Sequence, residues 1–335
     1  MRQLIAHALS IAPDIEVVGE AADAFEARDA IKALNPDVIT LDVEMPKMTG
    51  LDFLEKLMRL RPMPVIMISN HTGPRKDLTF QALAIGAIDC ISKPQSGDPL
   101  GFVGLIDKVR DAAGVKFSAG ADGVKGQAST DKVADYQPDG RMIAIGSSAG
   151  GIDALSTVLA GFPANCPPIV ITQHMPATFT TSLARRLDRL CDAKVVEAED
   201  GALLEPGVIH LAPGGNHHLT ITGTSRLSCR LVAGATVSGH RPSVDVMFQS
   251  VARVAAANAI GVILTGMGRD GADGLLAMRR AGARTIGQDA ATSFIYGMPR
   301  TAFEAGGVER QLPLAQIGAA LTSMTSQSRK QSQCR

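Results

Sequence analysis

The chain has 335 residues, 45% of them hydrophobic and 20% charged, which gives room for two domains with cores of their own. Its 33 basic and 33 acidic residues cancel, which argues against a broad electrostatic grip on nucleic acid or on an anionic membrane. With no apolar run near roughly 18 residues, no leader-like start, no Trp and only 2 Tyr, neither membrane insertion, nor secretion, nor an aromatic nucleic-acid platform is expected.

Helical periodicity recurs over 2–12, 24–34, 51–60, 76–85 and 102–113. Short β-branched or apolar runs separate these segments at 15–19, 37–41, 65–69 and 87–91. Such alternation predicts βαβ units around a parallel sheet. The chain opens on a helix with no strand before it. Residues 114–140 lose periodicity and fill with Gly, Ala, Asp, Lys and Ser, the composition of a flexible linker. Beyond it the α/β pattern resumes, with strands expected at 142–146, 168–172, 207–211 and 260–265 and helices at 151–160, 178–190 and 244–257. The organisation predicted is an α/β domain over 1–113, a linker over 114–140, a second α/β domain over 141–325 and a polar tail over 326–335.

Gly146-Ser147-Ser148-Ala149-Gly150 fits the G-x-S-x-G pattern between a predicted strand and a predicted helix. Small neighbours permit the sharp turn that exposes a serine hydroxyl, and the helix start supplies amides and positive potential. Alone, the motif fits equally well a glycine-rich turn that binds phosphate or packs tightly. His174 follows the apolar run Ile169–Thr172, and Asp270 lies in the glycine-rich loop after Gly261–Thr265. At the carboxyl ends of strands in one parallel sheet, all three side chains share an edge. Together they have the composition of a nucleophile, a general base and an orienting carboxylate. A lone strand-end histidine is usually structural and Gly-Arg-Asp-Gly usually a turn; the joint placement favours catalysis.

Asp273 is a rival carboxylate, set deeper in the following helix. The chain order Ser, His, Asp differs from the usual triad orders, so the ordinary α/β-hydrolase fold is not inferred. His210, His217, His218 and His240 lack partners at metal-site spacing and are expected to be solvated or packed. Arg185, Arg186 and Arg189 are expected to form a solvated helix face. Cys90, Cys166, Cys191, Cys229 and Cys334 show no metal or redox spacing and read as reduced thiols of a cytoplasmic protein.

The runs IAIGSSAGG (143–151), ITQHMP (171–176), HRPSVDV (240–246) and LTGMGRDG (264–271) resemble the chemotaxis protein-glutamate methylesterases. So does PDVITLDVEMPKMTGLDFLEKLMRLRPMPVIMIS (36–69), and the likeness spans nearly the whole chain apart from linker and tail. The resemblance implies two domains, each a parallel sheet flanked by helices: a flavodoxin-like receiver and a Rossmann-like methylesterase domain. It implies Ser148, rather than Ser147, as the nucleophile, His174 as general base and then acid, Asp270 as the orienting carboxylate and the Met267 amide as an oxyanion donor. The implied reaction needs no cofactor. It hydrolyses γ-glutamyl methyl esters, and deamidates glutamines, on the cytoplasmic bundles of methyl-accepting chemotaxis receptors.

The same resemblance makes Asp42 the phosphoryl acceptor, Ser69 the switch hydroxyl and Lys93 the phosphoryl-pairing cation, with a chemotaxis histidine kinase as phosphodonor. Receivers begin with a strand ending in two acidic residues that help hold Mg²⁺. This sequence starts in the helix after it, so the first strand of the 2-1-3-4-5 sheet is expected to be missing and the Mg²⁺ site incomplete. Two readings stay open. Either the natural start lies about 15–20 residues upstream, which the otherwise intact phosphorylation residues favour, or the receiver is degenerate. The alternative to an enzyme is a noncatalytic two-component signalling or docking module. A DNA-binding output is not expected, for want of a helix-turn-helix pattern or a basic excess.

Overall fold

A computed structural model describes residues 1–69, 82, 85–93, 102, 104–113, 136–175 and 177–327. Most of the helix expected at 76–85, the linker over 114–135 and the tail beyond 327 lie outside the described residues. The chain divides into two compact units, Met1–Gly120 and Ala121–Arg335.

The first unit runs α1 (Arg2–Ser10), α2 (Ala24–Leu34), β1 (Ile39–Asp42), α3 (Gly50–Leu60), β2 (Val65–Ser69), β3 (Asp89–Ser92) and α4 (Leu105–Ala113). Asp23 starts α2 by accepting the Phe25 and Glu26 amides at 2.9 and 3.1 Å, which satisfies donors that a helix start leaves open. The strands pair in parallel in the order β1-β2-β3. Central β2 is wholly buried, and Val65 and Met67 join Leu54 and Leu57 of α3 in the core. Residues 15–19 are not a strand: they have no ladder partners, and Val17 and Val18 are 39% and 45% exposed. A β-branched run becomes a strand only where a neighbour satisfies its backbone, and none lies beside it among the described residues.

The second unit begins β4 (Met142–Ser147), α5 (Gly151–Leu159), β5 (Ile169–Gln173), α6 (Ala177–Asp188), β6 (Lys194–Glu197) and β7 (Val208–Leu211). After the β8 (His217–Thr222) and β9 (Ser228–Ala233) hairpin come α7 (Val244–Val254), β10 (Ala259–Ile263) and α8 (Ala272–Arg280). It ends with β11 (Arg284–Gln288), α9 (Met298–Glu304), β12 (Arg310–Leu312) and α10 (Leu314–Met324). Seven of these strands form one sheet, ordered β12-β11-β10-β4-β5-β7-β6 and parallel throughout. Every residue of β4, β5 and β10 is buried, as expected of a parallel sheet covered on both faces. The β8–β9 hairpin lies apart, its inner Leu219, Ile221 and Cys229 sharing a core with Met247 and Val251 of α7. From β4 the chain steps to β5 on one side and later to β10 on the other. Strand order therefore reverses at the carboxyl end of β4, where open α/β sheets form their binding crevice.

Candidate active site

Strand register sets the site. Ser147 pairs with Gln173 across β4 and β5, so Ser148 and His174 follow as the next residues at adjacent strand ends. The His174 amide donates to Ser147 O, and the Ser148 amide to Thr265 O beyond β10, both at 3.0 Å. Side-chain alternation separates the two serines. Ser147 is fully buried and donates its hydroxyl to Gln173 Oε1 at 2.7 Å. Gln173 in turn donates through Nε2 to the carbonyls of Ser148 and His174 at 2.9 and 3.0 Å. Ser148 is half-buried on the turn into α5. That turn needs Gly150, which has φ 74° and lies so close to Phe294 that a Cβ would come within 2.5 Å of it. Gly266 allows the loop after β10 to pass the serine, since a Cβ there would fall 2.8 Å from Ser148 Cβ. The amides of Met267 and Ala149, one after Gly266 and one after Ser148, donate to no protein acceptor among the described residues.

Asp270 is 1% exposed and accepts four hydrogen bonds. They come from His174 Nε2, Ser243 Oγ and the Val244 amide, each at 2.7 Å, and from the Asp245 amide at 3.0 Å. The two amides belong to the first turn of α7, where helical N–H groups are unpaired and the helix dipole favours an anion. Ser243 also caps that helix by accepting the Val246 amide at 3.4 Å. Burial pushes the Asp270 carboxyl up, but the hydrogen bond and charge of His174, with the Ser243 and Asp245 donors, outweigh it and hold the group at about 2. An ionised Asp270 keeps the His174 proton on Nε2 and leaves Nδ1 as the acceptor. That Nδ1 is buried and has no partner among the described residues, Ser148 Oγ included. Burial raises the neighbouring Asp245 carboxyl to about 6, the Asp270 charge adding to the effect, although the Gly274 amide opposes it.

Asp273, the rival carboxylate, is exposed and pairs with Arg269 at 3.1 Å. His240, expected to be solvated or merely packed, lies with its ring stacked on His174, centroids 3.6 Å apart and planes 9° from parallel. His218 is buried against Ser243: its Nδ1 accepts the Ser243 amide at 3.1 Å and its Nε2 donates to Ala235 O at 2.8 Å. Neither contact has a sequence signature, because each joins segments distant in the chain. Arg186 of the expected solvated face lies 3.7 Å from Asp153. Burial pushes the Cys166 and Cys229 thiols up to about 12, so neither offers a competing thiolate.

In the first unit, Asp42, Ser69 and Lys93 stand at three successive strand ends. Lys93 Nζ lies 2.8 Å from Asp42 Oδ2, and Asp42 Oδ1 accepts the Glu44 amide at 2.9 Å. Mg²⁺ is usually held by one or two carboxylates together with phosphate oxygens and waters. Both oxygens of Asp42 have partners, and among the described residues no group of three His, Cys, Asp or Glu side chains is placed to hold a metal ion. No helix among the described residues is long and apolar enough to cross a membrane.

Residues 143–321 match the family model of the CheB methylesterase, and residues 1–101 that of the response regulator receiver domain. A protein-glutamate methylesterase/protein-glutamine glutaminase 1 of Caulobacter vibrioides is 56% identical over 331 residues, covering 98% of this chain and 96% of its own. A protein-glutamate methylesterase/protein-glutamine glutaminase of Rhizobium etli is 58% identical over 328 residues, covering 97% and 94%. The crystal structure of the Thermotoga maritima CheB methylesterase catalytic domain aligns with a TM-score of 0.54 at 37% identity, over 55% of this chain and 98% of that one. A receiver followed by this catalytic module, at such identity along almost the full length, places the chain in the CheB family of methylesterases.

Proposed function

We propose that the chain hydrolyses γ-glutamyl methyl esters, and deamidates glutamines, on the cytoplasmic helices of chemotaxis receptors. The observation that carries this reading is the buried His174–Asp270 pair, bonded at 2.7 Å through Nε2 with Nδ1 left unpaired. Ser148 Oγ attacks the ester carbonyl carbon while His174 Nδ1 takes its proton. The imidazolium formed is stabilised by the Asp270 carboxylate, and the tetrahedral oxyanion by the Met267 and Ala149 amides. The C–O bond then breaks, and methanol departs with the proton held by His174. Water, deprotonated by the same nitrogen, attacks the acyl-serine, releasing glutamate and restoring Ser148. Glutamine follows the same path, with ammonia as the leaving group. A purely docking module has no use for a carboxylate buried under four donors.

The receiver is assigned to regulation, with Asp42 accepting a phosphoryl group from a histidine kinase and Ser69 and Lys93 reading it. A protein acting on receptor cytoplasmic domains works in the cytoplasm. The catalytic reading is tested by methanol release from methylated receptor membranes. Ser148→Ala should lower turnover by at least about a thousandfold, whereas Ser147→Ala, which removes only the bond to Gln173, should cost less than about tenfold. The reverse pattern would assign the chemistry to the other serine, and activity surviving in both would end the acyl-serine proposal.

A further inference from the structure

His240 occupies a place that the reaction as written leaves unused. Its half-buried ring lies flat against His174, 3.6 Å between centroids and 9° from parallel. One hydrogen bond, from Nε2 to Asp270, holds the His174 side chain, and the opposite nitrogen is unpaired among the described residues. A ring tethered at a single atom can still rock about that tether, and rocking displaces Nδ1, the atom assigned to take the proton from Ser148. A second ring in van der Waals contact across the whole face opposes that motion.

The position of His240 is itself fixed. Its backbone closes a turn with Val237 through reciprocal hydrogen bonds of 3.0 and 2.9 Å. The next residue, Arg241, is tied down through Nε to Gly215 O at 2.8 Å and through Nη2 to Asn216 Oδ1 at 3.0 Å. Two residues further on, Ser243, Val244 and Asp245 supply three of the four donors to Asp270. One anchored segment, 240–245, thus grips both members of the base–acid pair, the imidazole by its face and the carboxylate by its oxygens.

We propose that His240 is a positioning residue, whose stacked ring holds the His174 imidazole in the orientation needed for proton transfer. The proposal rests on the assignment of Ser148, His174 and Asp270 above. It requires an aromatic face at position 240, not a titratable nitrogen, so the aromatic and aliphatic replacements separate.

The test uses the full chain with His240→Ala, His240→Leu and His240→Phe, measuring kcat and KM for methanol release from methylated receptor membranes. His240→Ala and His240→Leu should lower kcat by about 10- to 100-fold with KM nearly unchanged, the scale of a slightly misplaced reacting group. His240→Phe should stay within about threefold of the parent. In proton NMR, the low-field signal of the His174 Nε2 hydrogen should persist in the Phe variant and broaden in the Ala and Leu variants. Unfolding curves show which variants are folded; should Ala prove unstable, the Leu and Phe comparison carries the test. Full kcat in His240→Leu, a loss confined to KM, or equal losses in Phe and Leu would overturn the proposal. Ser148→Ala and His174→Ala are run beside them. Activity in those controls refutes the triad itself, while inactive controls with an unaffected His240→Leu refute only the stacking role.

Discussion

Asp270→Asn isolates the charge of the buried carboxylate from its shape. The new amide group must replace either Oδ2, which faces His174 Nε2 and the Val244 amide, or Oδ1, which faces Ser243 Oγ and the Asp245 amide. The second placement is favoured, because the Ser243 hydroxyl can turn and accept, leaving only the Asp245 N–H opposed. That single conflict should cost about 1–3 kcal/mol of stability. His174 then keeps its tautomer but loses its anion. At an effective dielectric constant of about 20, an imidazolium and a carboxylate 2.7 Å apart attract by ~6 kcal/mol, of which a neutral hydrogen bond retains about 1–2 kcal/mol. The ~4 kcal/mol remaining corresponds to about three decades in kcat. The assay is methanol release, read beside urea unfolding at pH 7. The pH dependence supplies an independent arm. Asp270 is held at about 2 in the folded chain against 3.8 unfolded, so its contribution is present above pH 3.8 and is lost as pH falls towards 2. The parent should lose that stability across this window, and Asp270→Asn should lack the step. A folded Asp270→Asn with more than a tenth of parental kcat would refute the reasoning.

Asp245 has the opposite sign: its carboxyl, about 6 when folded against 3.8 unfolded, contributes stability below pH 3.8 that disappears as pH rises through 6. Asp245→Asn should therefore gain on the parent between pH 4 and 7 in urea unfolding, and a constant difference across that range would remove the assignment. In the receiver, acetyl phosphate with Mg²⁺ should add a phosphoryl group to the full chain and none to Asp42→Asn by intact mass, and equal labelling of both would exclude Asp42 as acceptor.

The regular elements were legible where local chemistry and periodicity agree. Residues 24–34 read as a helix and form one over Ala24–Leu34, where Asp23 caps the start and Asn35 closes it in the left-handed region. Residues 15–19 read as a strand and do not form one, because strand formation depends on a neighbour that their own sequence cannot specify. The β8–β9 hairpin was missed for a related reason. Its alternation is broken by His217 and His218, and its burial is decided by α7, whose Ser250 hydroxyl accepts the Ile221 amide at 2.8 Å. In the site, the strand-end rule alone brought Ser148, His174 and Asp270 to one edge. It was silent on how the carboxylate is held, since three of the donors to Asp270 arrive from residues 243–245, some 25 positions away in the chain.

The imidazole's orientation follows from where the main chain of His174 runs. Its amide is bonded to Ser147 O, so the side chain starts beside β4, the strand that leads to Ser148, while the Asp270 carboxylate, from the loop after β10, is bonded to the first turn of α7. The outer nitrogen, Nε2, reaches the carboxylate, and Nδ1, nearer the backbone, has no partner among the described residues and is the atom proposed above to take the serine proton. The proposed assignment reverses the roles of the two nitrogens in the familiar serine-protease arrangement, where Nδ1 meets the acid and Nε2 the serine. The chemistry is indifferent to the exchange, because either nitrogen of a neutral imidazole serves as base once the other carries the hydrogen. What the exchange alters is the support the ring needs. A base nitrogen off the axis of its only hydrogen bond moves whenever the ring rocks, and the face that His240 presents at 3.6 Å is the contact positioned to prevent it.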